Sequence, residues 1–223
     1  MKNTPRNTDA NRMKIIDAAR RIILEQGIES LSVRKLAGES GLALKTIYNL
    51  YGSKENVLVA LFESGTQALD LAMERLETAM AQGTWKTQIY LDWLKQVEPV
   101  FLENQALIKP AVMVGFSPMP PGPNPFDRLH RRRTQHLKTA LELAARKGLI
   151  WDDLNLDVSA RLLYTNYFNV VVLWAKGELD DRELRVHGRY AILTILHTLI
   201  NDPKRRENAL TLLRKLSIDS KMT

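Results

Sequence analysis

The chain has 223 residues, 45% of them hydrophobic and 26% charged, a balance that supports a packed core and excludes a disordered, charge-dominated chain. It contains no cysteine, which excludes disulfides, thiolate catalysis and cysteine-based zinc sites. The net charge of +7 points to a polyanionic partner, and residues 1–62 hold 10 Lys/Arg against 6 Asp/Glu, more than half of that excess.

Residues 1–12 are polar and lack the apolar run of an export signal. No unbroken apolar run, that at 170–175 included, approaches the ~20 residues of a membrane span. The expectation is a soluble cytoplasmic protein without a membrane partner. Residues 12–26 place Ile15, Ala19, Ile22 and Ile23 on one helical face, and Gly27 ends that helix. Ser32 caps a second helix with Val33, Leu36 and Ala37 inward, and Gly41 breaks it. A third helix over 43–50 turns Ile47 and Leu50 inward. Gly52-Ser53 then ends one helix and caps the next, with Glu55 near the positive end of its dipole.

The fourth helix reads as long, since Val57, Leu58, Leu61, Phe62, Leu69, Met73, Leu76 and Met80 keep helical spacing as far as Gly83. Further helices are predicted over 85–103, 105–115, 127–147, 157–176, 183–201 and 204–217. Pro99 and Pro110 should kink or end the first two of these. Residues 117–125 contain five of the nine prolines and read as a loop. No alternating strand pattern or internal repeat is present. The fold class expected is all-α, with a three-helix head over 1–55 and a larger helical body over 56–223.

Within the head, Ser32-Val33-Arg34-Lys35-Leu36-Ala37, Gly41-Leu42 and Lys45-Thr46-Ile47-Tyr48-Asn49-Leu50-Tyr51-Gly52-Ser53-Lys54-Glu55 follow one another at helix-turn-helix spacing. Ala37 lets two helices cross closely, Gly41 permits the tight turn, and Ile47 seats the second helix on the core. This stretch, about residues 12–62, resembles the DNA-binding domain of the tetracycline-repressor (TetR) family. The resemblance implies duplex DNA as partner, with the third helix in the major groove. Its exposed positions, Ala43, Leu44, Lys45, Tyr48 and Asn49, are then the candidates for base contact. Lys45 suits guanine O6 or N7, Asn49 suits adenine, and Ala43 or Leu44 suits a thymine methyl. Thr46, Tyr48, Tyr51 and Lys54 suit phosphate oxygens, and Ser32 and Arg34 suit the backbone from the other side. Tyr48 and Tyr51 are also compatible with a place in the core. Asn49, Leu44 and Tyr51 depart from the residues common at these positions in the family, which bears on the operator sequence.

Beyond residue 62 the resemblance is confined to Leu173-Trp174-Ala175-Lys176-Gly177-Glu178-Leu179, similar to the end of the family's penultimate main helix. Residues 191–200 are apolar at seven of ten positions, so that helix needs cover on more than one side. The expectation is a homodimer packed through helices 157–176 and 183–201 on a palindromic site. The family also implies a repressor released by a small-molecule effector bound in the body. Candidate lining residues are Trp93, Met113, Phe116, Tyr164, Tyr167 and Phe168. Asn166 and Asn169 interrupt a helix expected to be buried, where they would face either an effector or the partner subunit. Arg128, Arg131, Arg132 and Arg133 read as a solvated face or an attractor of an acidic effector.

The sequence speaks against two other classes of function. An enzyme would need a motif such as a phosphate-binding glycine loop or a His-Glu-x-x-His helix, and neither occurs. Gly115-Phe116-Ser117-Pro118-Met119 begins like a nucleophile elbow but lacks the closing glycine. The four histidines show no metal-ligand spacing, and no cofactor or metal is expected. A helical adaptor without DNA binding is opposed by Lys45, Tyr48 and Lys54.

Overall fold

The computed structural model describes residues 5–82, 88–116, 124 and 126–221. Among these, eleven α-helices follow one another, and the nearest approach to sheet is a single antiparallel bridge between Ile150 and Ile200. The fold is all-α. No helix of the described residues is long and apolar enough to cross a membrane.

Packing divides the chain into two units, Met1–Thr66 with Asn104–Asp127, and Gln67–Glu103 with Arg128–Thr223. This differs from the boundary expected after residue 55, and the reason lies in the fourth helix. In the first unit, α1 (Pro5–Gln26), α2 (Val33–Ser40), α3 (Leu44–Tyr51), α4 (Lys54–Gly65) and α7 (Gln105–Phe116) share one core. Ile15, Ala18, Ala19 and Ile22 of α1 meet Leu36, Ile47 and the α4 side chains Val57, Leu58 and Leu61, with Leu107 of α7 joining them. A domain cut before α4 would strip that cover away. A 3-10 turn over Ile28–Ser30 links α1 to α2.

The long fourth helix expected from periodicity is two helices. α4 stops at Gly65, and α5 (Gln67–Ala81) begins after Thr66. Thr66 is fully buried, with its N–H donating to the carbonyls of Phe62 and Glu63 and its hydroxyl donating to Phe62 O at 2.7 Å. Those contacts satisfy the last turn in place of further helix. Periodicity could not see this, because the apolar spacing runs on through the break. The poor helix formers Gly65 and Thr66 were the available signal. Gly83 lies outside the described residues.

In the second unit, α6 (Gln88–Glu103), α8 (Asp127–Arg146), α9 (Leu156–Lys176), α10 (Asp181–Leu199) and α11 (Pro203–Lys221) join α5. Asn155 caps α9, and Asp180 with Glu183 forms a reciprocal capping box that starts α10 earlier than residue 183. Trp174, with no exposed surface, donates its indole N–H to Asp181 Oδ1 at 2.7 Å. Arg189 of α10 donates twice to Glu98 of α6, at 2.8 and 2.7 Å. Neither Pro99 nor Pro110 ends its helix. Each removes a bond to the carbonyl four residues earlier, on Lys95 and Ala106, and both of those residues are exposed to solvent that can replace it. The proline-rich stretch predicted as a loop, 117–125, lies almost wholly outside the described residues.

Candidate functional site

The first unit presents a helix-turn-helix. Ser32 has extended backbone, and its hydroxyl accepts from the Lys35 N–H, which starts α2. Gly41 closes α2 in the left-handed region at φ 67°, a conformation that costs a Cβ-bearing residue a clash. α3 follows, anchored by Ile47 at 1% exposure. The opposite side of α3 is open: Leu44 is 43% exposed and Tyr48 50%, and Ala43, Lys45 and Asn49 are exposed with them. Large apolar surface presented this way on a rigid helix marks a contact face. Ser32, Arg34 and Lys54 are also exposed, and Thr46 is half-buried.

Tyr51 differs from Tyr48. It is half-buried against the core, the Arg12 guanidinium lies 5.2 Å from its ring centre, and its hydroxyl donates to Arg12 O at 3.5 Å. Burial raises its pKa, and the nearby Arg12 opposes that shift. Arg12 therefore accompanies Tyr51 at the edge of this face, a pairing across 39 residues that no local pattern signals. The turn before α4 is held twice. Ser53 Oγ accepts from the Asn56 N–H, and Asn56 Nδ2 donates to Tyr51 O at 2.7 Å. Lys54 opens α4 beside that helix's first N–H groups, an electropositive end.

The second unit contains a cavity of about 40 Å³. Of the six aromatic and Met residues expected to line a pocket, it brings together Trp93, Tyr164, Tyr167 and Phe168. Met113 is not among its lining residues, because α7 packs in the first unit. The Phe116 side chain lies outside the described residues. Phe101 and Arg133 are among the wall residues that sequence reading missed.

Arg133 is 4% exposed and so does not belong to a solvated face. Its Nε donates to Asp70 Oδ1 at 3.3 Å, and exposed Arg132 donates to the other oxygen at 2.9 Å. Tyr164 Oη and His130 Nδ1 are 2.6 Å apart. Burial, opposed by nearby Arg133, pushes the Tyr164 hydroxyl up to about 12. Two donors in this wall, Trp93 Nε1 and Tyr167 Oη, have no hydrogen-bond partner among the described residues. Each such omission costs about 1–3 kcal/mol when the group is buried. Asn166 and Asn169, expected inside a buried helix, are exposed.

Comparison with known proteins agrees with this geometry. Residues 15–61 match the family described as bacterial regulatory proteins, tetR family. The chain is 26% identical over 121 residues to the HTH-type transcriptional repressor AcnR of Corynebacterium glutamicum, a match covering 48% of this chain and 64% of that protein. It is 38% identical over 65 residues to the fatty acid metabolism regulator protein of Bacillus subtilis, covering 29% of this chain and 32% of the other. The chain thus spans just under two thirds of the first of these relatives and about one third of the second. Among solved structures, Thermus thermophilus FadR, a TetR-family transcriptional repressor in complex with lauroyl-CoA, superposes with a TM-score of 0.68 at 19% identity, over 86% of this chain and 96% of that one. Residues 15–61 thus match the N-terminal domain of the tetR family of bacterial regulatory proteins, in a chain that has the all-α fold of FadR.

Proposed function

We propose that this chain is a dimeric transcriptional regulator, acting in the cytoplasm without a cofactor, that binds a palindromic operator through α3. A small molecule in the second unit then releases it. The observation that carries the reading is the open face of α3, where Ala43, Leu44, Lys45, Tyr48 and Asn49 stand exposed opposite buried Ile47. Lys45 and Asn49 have the donors that guanine and adenine edges require, and Ala43 and Leu44 offer apolar contact for a thymine methyl. Thr46, Tyr48, Tyr51, Lys54, Ser32 and Arg34 serve the phosphates, with Arg12 added to them on account of its place beside Tyr51. Repression rather than activation is favoured because AcnR and FadR are named as repressors.

DNA binding is assigned to the first unit, and effector binding and dimerisation to the second. Exposed Val158, Leu162, Asn166 and Asn169 on α9, with Tyr190, Thr194 and Thr198 on α10, support a second copy as their cover. An effector in the Trp93, Tyr164, Tyr167 and Phe168 cavity is supported by FadR, a repressor of this fold crystallised with lauroyl-CoA. Regulation by binding, not catalysis, is the activity proposed.

Selection of bound duplexes from a random DNA library, at one physiological salt concentration, tests the reading. Enrichment of a palindrome is expected. Binding without enrichment would reflect charge alone and would favour an adaptor role.

A further inference from the structure

Trp93 and Tyr167 stand with ring centres 6.2 Å apart in the wall of the second unit's cavity, each only 8% exposed. The indole N–H is a donor and nothing else, so what Trp93 lacks is an acceptor. Tyr167 is in the same position. Burial first, and then the Glu98 carboxylate, keep its hydroxyl protonated, so it remains a donor.

Among the described residues, the remaining wall supplies no strong acceptor left open. Leu69, Met73, Val97 and Leu163 are apolar, and the guanidinium of Arg133 can only donate. The Tyr164 hydroxyl is already engaged with His130. Two stranded donors in one apolar cavity call for a molecule that brings an acceptor with it.

Charge decides the class further. The buried cation Arg133 faces Asp70, and Arg189 faces Glu98 through two hydrogen bonds. An incoming carboxylate would bury a charge whose natural partner already has an anion, beside the acidic Glu98. The aromatic walls favour a flat molecule. At about 40 Å³ the cavity has room for roughly one water, so a ligand must open it. Of the lining residues, Tyr164 and Phe168 alone are half-buried rather than buried, and their rings stack at 5.7 Å with 12° between planes.

We infer that this cavity takes an uncharged, flat, mainly apolar molecule bearing a carbonyl-type acceptor, held by hydrogen bonds from Trp93 Nε1 and Tyr167 Oη and admitted between Tyr164 and Phe168. The inference deepens the ligand-responsive reading above and rests on it only for what binding does to DNA.

Equilibrium dialysis of the full chain against three probes tests it: 2-acetylnaphthalene, naphthalene without the acceptor, and 2-naphthoate with a charge. The ketone should bind at least tenfold more tightly than either of the others. Tyr167→Phe and Trp93→Phe should each cut the ketone's affinity advantage over naphthalene about five- to tenfold. Equal or tighter binding of 2-naphthoate overturns the inference, as does ketone affinity indifferent to both substitutions. Failure of all three probes to bind a cooperatively melting chain would mean that water alone satisfies the two donors, and overturns it too. Ketone binding that leaves a selected operator bound would count against the regulatory reading and not against the site. A palindrome released only by anions would do the reverse.

Discussion

A Cβ at Gly188 would stand 2.8 Å from Cε2 of Tyr167, so the absence of a side chain at this point of α10 is what seats that α9 ring against α10. Gly188 is buried inside a helix, where glycine is otherwise a poor choice. Gly188→Ala should therefore destabilise the chain by about 1–3 kcal/mol through overpacking, against the ~1 kcal/mol that helix propensity would add. Urea unfolding measures the sign. A higher midpoint would mean that Tyr167 gives way freely.

The Glu98–Arg189 pair predicts a larger loss. Glu98 is 5% exposed at its side chain and takes both hydrogen bonds from Arg189, whose own pKa is raised by that contact. Glu98→Gln leaves the guanidinium without a counter-charge, at a cost of about 2–4 kcal/mol. The lower part of that range is expected because Arg189 still reaches solvent. Thermal unfolding of the variant beside Arg189→Gln would show whether either partner alone is the costly one to keep.

On α3, fold and recognition should separate. Tyr48→Ala and Lys54→Ala are expected to weaken binding to a selected operator while the melting temperature stays put, since both side chains are exposed. Lys45→Ala should relax preference at one base position by roughly 1–3 kcal/mol. Ile47→Ala should instead cost about 2–5 kcal/mol of stability, because it empties the seat of the helix. Normal operator affinity in the Tyr48 or Lys54 variant would remove that residue from the phosphate set.

Alkaline pH should probe the cavity wall. The Tyr164 hydroxyl is raised from 10.0 to about 12 in the folded chain. Below about pH 10 both folded and unfolded states hold the proton, and the contribution to stability is complete. Between 10 and 12 the unfolded chain ionises first, so stability falls as pH rises. Tyr167 is raised as well, chiefly by burial. Tyr164→Phe should therefore flatten part of the alkaline loss, and Tyr164→Phe with Tyr167→Phe more of it. Unchanged curves between pH 9 and 12 would contradict the cause assigned to these shifts.

Dimerisation through α9 and α10 predicts that Leu162→Glu, at a position 49% exposed in the single chain, produces a monomer without lowering its helix content. Sedimentation equilibrium reads the mass. A dimer that survives the charge would move the interface elsewhere.

The readings that held were those governed by neighbours in the chain. The serine caps of α2 and α4, the glycine at φ 67° that closes α2 and the inward stripe of α1 all depend on contacts within about four residues. Sequence also contained signals left unread. Asp180 with Glu183 is a visible capping box, and Gly65-Thr66 a visible weak point in an apolar period that runs on regardless.

For Arg133 the sequence leaves a solvated face and an attractor of an acidic effector both open, and the deciding contact is Asp70, 63 residues away. Met113 looked like the other pocket candidates because apolar spacing does not tell one core from another.

By itself, the sequence determined that this protein is helical, that residues 32–55 form a helix-turn-helix and that Lys45, Tyr48 and Asn49 share its outer face. Helical period, caps and glycine conformations are local, and a recognition helix needs only its own register to expose the right side chains. The tertiary structure alone decided that α4 belongs with the helix-turn-helix core, that Arg12 lies over Tyr51, and that Trp93 and Tyr167 meet with their donors unpaired among the described residues. Those outcomes depend on which distant helices pack together, and packing is set by the summed fit of many side chains rather than by any spacing along the chain.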